Sequence, residues 1–516
     1  MQQDNCGMYI KWLETNHQIK NMKIVIVGGG TAGWVTAAMW VKYTKDTEIV
    51  VIESSKIGII GAGEGSTGTL PWLIRDMWPD NSINEIDFLR KTKGTIKLGI
   101  NLVDWKGDGT QIYSPFHGSP TDTKSIDTAF FGSILKYGRG DMASMHSWML
   151  NDKLTTFRKE GGRIVQGFQN HSYHFDGVEV GKFFKEWCIR YGVTHIDAEV
   201  ETVEMDEREY VQSVSLSNGQ KVESNFWFDC SGFARVLMGK TKNKWISYKE
   251  HLPCNTAIPF TTDVNSKTVK FETEAHARES GWTWKIPLQH RHGCGYVFCD
   301  GFTTEDKAIQ ELEKKLGHKV EPIKTIKFDP GRYDQPWYTN IVSVGLAQNF
   351  LEPLQATSIH TSVVSVANLI FHYMKGEVLY WEDRGKYNQL IGSMIDDYKD
   401  FIQMHYLTGR QDTPFWKFVT NELKVSDTNK YLRNVSKFRT ITPFDIQQTH
   451  GSAGYPLWCH ILDNSGCYER DIIKTELKHY GNYNECMMEI QKLEKGYNNV
   501  KPSLVTNEEL FKYLKI

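Results

Sequence analysis

Gly28, Gly30 and Gly33 constrain this chain more than any other residues. They stand in Gly28-Gly29-Gly30-Thr31-Ala32-Gly33, directly after Lys23-Ile24-Val25-Ile26-Val27 and directly before Trp34-Val35-Thr36-Ala37-Ala38-Met39-Trp40. A β-branched run, a glycine turn and an apolar run free of Gly and Pro read as strand, tight turn and helix. At this G-x-G-x-x-G spacing the first glycine permits the turn, the second lets backbone approach a pyrophosphate, and the third lets helix and strand pack closely. The phosphates then lie against free N–H groups at the helix start. A second strand, Thr47 to Ile52, ends at Glu53, twenty positions after Gly33, where a ribose hydroxyl needs an acceptor. Together these features predict an α/β chain built on a nucleotide cradle.

The rest of the composition excludes more than it selects. With 60 Lys and Arg against 62 Asp and Glu, nothing favours nucleic acid or an acidic membrane surface. No window reaches the roughly 18 consecutive apolar residues of a spanning helix, and Met1 to Lys20 are polar, without a signal-peptide core. A cytoplasmic protein is expected. The nine cysteines are odd in number and lack the C-x-x-C pairs of a zinc site, so they read as reduced thiols and no metal is expected. Sixteen Trp suit a flat organic ligand, although large cores also use Trp.

Along the chain, Ile57 to Gly68 is glycine-dense and too irregular for helix or strand, so a mobile loop beside the cofactor is expected. In Lys93 to Trp105, positions 96, 98, 100 and 102 are apolar and alternate with 97, 99 and 101. That is the pattern of a half-buried strand with Lys97 on the far face, ordinarily a solvated one. Residues 106–165 look less regular, an insertion that covers a site. A helix ends at Tyr191-Gly192, and a hairpin-like unit from Val211 to Phe228 returns the sheet to the cofactor at Asp229-Cys230-Ser231-Gly232. Gly281 to Leu288 places Trp282 and Trp284 on one face of an extended segment, Ile341 to Ala347 reads as a strand, and a helix should begin at Thr357 or Ser358, both good caps. Beyond 370 the pattern is helical and includes the blocks Asp400 to Tyr406 and Arg410 to Trp416.

With those segments in order, residues 22–420 resemble the flavin-dependent halogenases, above all the tryptophan-halogenase type with its phage and marine bacterial relatives. Trp282-Thr283-Trp284-Lys285-Ile286-Pro287 fits the family's W-x-W-x-I-P, which flavin hydroxylases with the same glycine fingerprint do not carry. Phe350-x-x-Pro353 resembles the start of F-x-x-P-x-x-S-x-G, and Asp400 to Trp416 is similar to D-F-I-x-x-H-Y and D-x-P-F-W. The resemblance implies an FAD-binding Rossmann-like domain of the glutathione-reductase/hydroxylase type, with an antiparallel β layer and a helical C-terminal substrate domain. On it, residues 1–21 are an N-terminal extension, 22–370 the FAD-binding domain with an insertion at 106–165, and 371–516 the mainly helical C-terminal domain.

The resemblance also implies the chemistry. Reduced FAD and O2 turn a halide into hypohalous acid, which passes along a tunnel to Lys97, and Lys97 presents electrophilic halogen to an electron-rich ring. FADH2 would come from a separate flavin reductase, and the substrate would be a small aromatic molecule. A homo-oligomer is left open. FAD would be held by Gly28, Gly30, Thr31, Ala32, Gly33 and Glu53, with Val200, Leu346 and Ile359 beside it, and the halide by Thr357 and Ser358. Trp282, Trp284, Ile286 and Pro287 would line the tunnel side and keep substrate off the flavin, while Tyr113, Phe116 and His117 would meet substrate.

Three departures qualify the picture. Gln355 stands where the family has a Glu that pairs with the lysine and accepts the ring proton, and an amide is no base near neutral pH. Ala356 and Ser358 replace a Ser and a Gly, which puts a Cβ at the halide pocket and favours bromide or iodide over chloride. Ser114 stands where a stacking His is found, with His117 displaced, so free tryptophan is not the expected substrate. Two rival readings stay open: a single-component aromatic hydroxylase, which leaves Lys97 and the Trp282 to Pro287 motif unexplained, and a flavin-binding protein whose catalysis was lost with the carboxylate at 355.

Overall fold

The computed structural model describes residues 23–44, 47–58, 63–75, 84–115, 126–167, 171–373, 381–446 and 451–515. Lys23–Val27 is a buried strand, its β-branched side chains filling both faces, and it runs through the glycine turn into the helix Thr31–Tyr43. That strand pairs in parallel with Glu48–Glu53 on one side and Phe226–Asp229 on the other. Thr194–Asp197 adds to the first edge and Ile341–Ser343 to the second, both parallel. Trp337–Tyr338 closes the second edge antiparallel. The six strands form a doubly covered sheet whose carboxyl ends carry the turns at Gly28, Glu53, Cys230 and Val344, where such sheets bind ligands.

A second, seven-stranded sheet is mostly antiparallel, and its centre is the ladder Thr256–Thr262, His292–Phe298, Gly281–Pro287 and Thr273–Arg278. Gly99–Val103 joins it by parallel pairing with Thr273–Arg278, and Gln111–Pro115 forms the edge beyond. The expected single strand from 93 to 105 is therefore two strands. Thr95–Lys97 belongs to a separate small sheet with Ser172–Phe175 and Glu64–Gly65, and the break falls at Leu98, whose N–H bonds to the Phe271 carbonyl. The loop expected to be irregular thus contains a short strand at Glu64–Gly65.

Residues 106–165 are also more regular than their composition predicts. They hold the edge strand Gln111–Pro115, helices Ile126–Tyr137 and Met145–Asp152, and the hairpin Leu154–Glu160/Arg163–Gln166. Distant partners order them: Tyr483–Val500 packs along Ile126–Tyr137, and Leu504–Thr506 pairs with Leu154–Glu160. The strand expected over 341–347 stops at Ser343 and gives way to a tight turn at Gly345–Ala347. Past residue 381 the described elements are helices, apart from Leu504–Thr506, and begin with the long helix Trp381–Tyr406. Among the described residues no helix is long and apolar enough to cross a membrane, and none of the eight described cysteines is in a disulfide.

Trp34 and Trp40, on the helix after the cradle, have no exposed surface and wedge it between Gly177–Arg190 and Thr357–Asn368. Full burial of side chains this large stabilises by about 2–3 kcal/mol each. The packing ties the start of the Thr357 helix to the cradle.

Candidate active site

The cradle meets the steric demands that its sequence sets. Gly28 has φ +114, and a Cβ on it would lie 2.2 Å from the Cys230 carbonyl oxygen; a Cβ on Gly33 would lie 1.9 Å from the Gly28 oxygen. Gly30 is different in kind, because a Cβ there would meet nothing within 4 Å. Its smallness keeps open a space that the protein itself does not fill. Gly30 also caps the Thr31–Tyr43 helix without any side-chain bond to the first turn, so those N–H groups remain available to an anion. Glu53, at the end of its strand, accepts from Trp34 Nε1 at 3.2 Å and is flanked by Lys185 and by His195, 2.9 Å away. Its carboxylate is held in place beside Gly29. Gly345, at φ +66, brings the Leu346 turn against Ala32, and Ile359 lies buried in the first turn of the Thr357 helix. Val200 packs against the cluster containing Val27 and Ile52.

Lys97 departs from what its strand pattern alone predicts, and agrees with the desolvated amine that the halogenase chemistry needs. It is 1 % exposed rather than solvated, because Ser172–Phe175 covers one side and the Gly65–Ser66 segment the other. Nζ donates to the Ser66 carbonyl at 3.4 Å, and a Cβ on Gly65 would stand only 3.1 Å from it. Burial of the ammonium pulls its pKa from 10.5 to about 7. Ser66 is anchored in turn to Ser172 at 2.7 Å, and Thr67 bonds His360 Nδ1 at 3.1 Å. His360 donates from its other nitrogen to the Gly451 carbonyl, so Nε2 carries a proton. This chain of contacts joins the lysine to the helix that begins at Thr357. Thr95, two residues before Lys97, donates to the Pro287 carbonyl at 2.8 Å and so fixes the end of the Trp motif to the lysine strand.

The Thr357–Asn368 helix is capped neither by Thr357 nor by Ser358. Ala356 holds the cap position in the left-handed region, φ 54 and ψ 37, without a side-chain bond to the first turn. An alanine there costs on the order of 1 kcal/mol, strain of the kind found where backbone is aimed at a ligand. The N–H groups of the first turn are left without a side-chain cap.

Beside that turn, Trp282 and Trp284 share one face of their strand with ring centroids 6.3 Å apart. Gly295 makes room for the second ring; a Cβ there would fall 1.9 Å from it. Trp282 donates to the buried Glu352 at 2.8 Å, as does Tyr406. Three residues on, Gln355 Nε2 lies 2.7 Å from Nε2 of His405, the neighbour of Tyr406. Trp105 stacks near both Trp282 and His405, with centroids at 6.5 and 6.2 Å. A shallow depression lies beside His405, walled by Leu102, Trp105, Ile112 and Ile461, with Lys106 and Asn464 on its lining.

The family profile described as tryptophan halogenase matches residues 23–451. The chain belongs to the tryptophan halogenase family. It is 31 % identical over 470 residues to the tryptophan 6-halogenase ThaL of Streptomyces albogriseolus, covering 84 % of each chain. It is 31 % identical over 441 residues to the tryptophan 7-halogenase RebH of Lentzea aerocolonigenes, covering 78 % of this chain and 80 % of that one. In structure it resembles Tar14, a tryptophan C-6 flavin-dependent halogenase from taromycin biosynthesis, with a TM-score of 0.85 at 26 % identity over 96 % of this chain and all of that one. Halogenases of this family are flavoenzymes that use FADH2, O2 and halide and draw reduced flavin from a separate reductase. The open space at Gly30, the uncapped helix start and the anchored Glu53 fit an FAD pyrophosphate and ribose.

Of the halogenase residues expected from sequence, the structure gathers two sets. Gly28, Gly30, Thr31, Ala32, Gly33, Glu53 and Leu346 meet at the carboxyl edge of the six-stranded sheet. Trp282 and Gln355 meet through Glu352, Tyr406 and His405. Tyr113 is buried on the edge strand, its N–H bonded to Asp141 at 3.0 Å and its phenol pushed up to about 12, mainly by burial. Phe116, His117 and residues 1–21 lie outside the described residues. Sequence reasoning missed Glu352 and His405 as site residues, although both sit inside quoted motif blocks. Lys185 and His195, which hold Glu53, left no local signal.

Proposed function

We propose that this chain halogenates an electron-rich aromatic or heteroaromatic small molecule through Lys97, with bromide or iodide favoured over chloride. The observation that carries the reading is the buried Lys97 in its glycine-lined socket, with an amine poised near neutrality. A solvated strand lysine would be charged at every physiological pH and useless as a halogen acceptor. With its proton equilibrium near pH 7, Lys97 serves either as a neutral amine that takes halogen on nitrogen or as an ammonium that hydrogen-bonds hypohalous acid.

FAD held at the cradle supplies, when reduced and with oxygen, the oxidising power that makes hypohalous acid from halide. Thr357 and Ser358 offer the halide the uncapped N–H groups of their helix start, where an anion is stabilised. Ser358 adds a side chain where a glycine would leave room, and bromide and iodide are favoured because they are softer and more easily oxidised than chloride. Trp282 and Trp284 form a wall that keeps arene from the flavin, so that Lys97 and not direct oxygen transfer decides the product. Gln355 cannot remove the ring proton, which leaves to water as aromaticity is restored. With Ser114 where the family has a stacking His, the panel of substrates to test extends beyond free tryptophan.

The test is turnover with FAD, an added flavin reductase and chloride, bromide or iodide in turn, with a panel of indoles, phenols and pyrroles read by mass spectrometry. Brominated or iodinated product with little chlorination is expected. Oxygenated arene without halide incorporation supports the hydroxylase instead, and no product with any arene overturns the proposal.

A further inference from the structure

Position 355 carries an amide whose partner is a histidine, and the two nitrogens that face each other cannot both donate. His405 Nδ1 lies 2.9 Å from the Phe401 carbonyl oxygen. A carbonyl only accepts, so Nδ1 carries a proton. The ring is 1 % exposed, packed between Phe401 and Trp105, and burial holds its pKa at about 4. It therefore has one proton at neutral pH, and its Nε2 is a bare lone pair. The group 2.7 Å away must be a donor, which makes it the Gln355 NH2 rather than its carbonyl oxygen. Turning the amide would set an oxygen lone pair against a nitrogen lone pair inside the protein, which is unfavourable.

We propose that His405 is a positioning residue that orients the Gln355 amide with its carbonyl oxygen away from the ring, so that this site presents a neutral hydrogen-bond acceptor where a carboxylate would present a charge. The inference rests on the reading that Gln355 belongs to the halogenation site, but the orientation itself follows from the Phe401–His405–Gln355 chain alone. Gln355 and neutral His405 are a matched pair. A glutamate at 355 would face the bare Nε2 with carboxylate oxygens, and the pair could be satisfied only by one further proton between them, on Nε2 or on the carboxyl. Replacing Gln355 by Glu therefore adds a titrating proton to a pair that is neutral and fixed in the wild type.

Two measurements on the full chain decide this. The first is 15N NMR of histidine-labelled protein, with the His405 signal assigned by its loss in His405→Phe. A neutral Nδ1–H ring from pH 5 to 8 is expected in the wild type, and an Nε2 signal moved toward protonation at pH 7 in Gln355→Glu. A wild-type ring protonated on Nε2, or an Nε2 signal unchanged at pH 7 in Gln355→Glu, overturns the proposal whether or not the chain proves to be a halogenase. The second compares His405→Phe, which keeps the ring shape without an acceptor, with His405→Gln, whose amide oxygen can stand near Nε2. Product per flavin oxidised should fall about tenfold in His405→Phe, the worth of one net hydrogen bond, with the KM for halide unchanged. It should return to within about threefold of wild type in His405→Gln. Equal losses in the two variants mean that His405 only fills space, and the proposal fails.

Discussion

Trp282 and Glu352 are joined by a 2.8 Å hydrogen bond from the indole Nε1–H to carboxylate Oε2, at a place where neither residue has exposed surface. Tyr406 donates to the same oxygen. One carboxylate thus ties the Trp motif strand, the Pro353–Gln355 turn and the end of the long helix into a single unit, two residues of which, Glu352 and Tyr406, flank the Gln355–His405 pair. Burial pushes the Glu352 carboxyl up to about 7 against the relief given by its two donors.

A carboxyl raised in this way binds its proton more tightly folded than unfolded. Its contribution to stability is therefore greatest below about pH 4.5, is lost as pH rises through the window to about 7, and is absent above it. Glu352→Gln removes that titration, so the drop in Tm between pH 5 and pH 8 should be several degrees smaller than in the wild type. Identical drops would show that other groups carry the pH dependence. Glu352→Leu leaves two buried donors without an acceptor and should destabilise by about 2–4 kcal/mol at either pH.

What the sequence made legible was local. The cradle, the strand that ends at Glu53, the Trp282 to Pro287 strand and the helix from Thr357 each declare themselves within a dozen residues and stand where periodicity puts them. The burial of Lys97 was not legible, because its cover comes from Ser172–Phe175, some 75 positions away in the chain, and alternation cannot tell a solvated face from one covered by another sheet. Gly99–Val103 likewise owes its second neighbour to parallel pairing with Thr273–Arg278, which leaves no local trace. The regularity of residues 126–160 depends on helix Tyr483–Val500 and strand Leu504–Thr506, more than 300 positions on. Ala356 hid the true cap of the Thr357 helix because it takes a backbone conformation that alanine rarely adopts.

Gly30 and Gly33 should separate cofactor binding from folding. Gly30→Ala adds a methyl group into open space at a backbone conformation, φ −76 and ψ −173, that alanine accepts. The variant should melt within a degree or two of wild type without cofactor, yet bind FAD at least tenfold more weakly, about 1.4 kcal/mol. Gly33→Ala collides with the Gly28 carbonyl and should not yield folded protein. Undiminished FAD affinity in Gly30→Ala, by fluorescence titration, would place the pyrophosphate elsewhere.

The purified chain should bind FAD but oxidise NADH or NADPH negligibly without a reductase. Its one glycine fingerprint is taken by the flavin, and none of the other described sheets has strand, glycine turn and helix in that order. Stopped-flow absorbance at 450 nm during anaerobic mixing with NADH measures this directly. Rapid bleaching by NADH alone would favour the single-component hydroxylase.

Lys97 should show that the site trades stability for chemistry. Because burial lowers its pKa from 10.5 to about 7, the folded state gives up the proton before the unfolded state does. The cost of the buried ammonium is carried in full below pH 7 and fades as pH rises from about 7 to 10.5. Lys97→Met, which fills the socket without a charge, should raise Tm at pH 6 by several degrees and by less at pH 9, with an upper bound on the order of 4–5 kcal/mol at the lower pH. The same variant should yield no halogenated product while flavin oxidation continues, since oxygen consumption needs only cofactor and reductant. In the wild type, product per flavin oxidised should rise between pH 6 and 8 as the amine becomes neutral and can take halogen on nitrogen. A ratio that falls over that range would assign the chemistry to the ammonium, and a Lys97→Met variant that halogenates normally would remove the lysine from the mechanism.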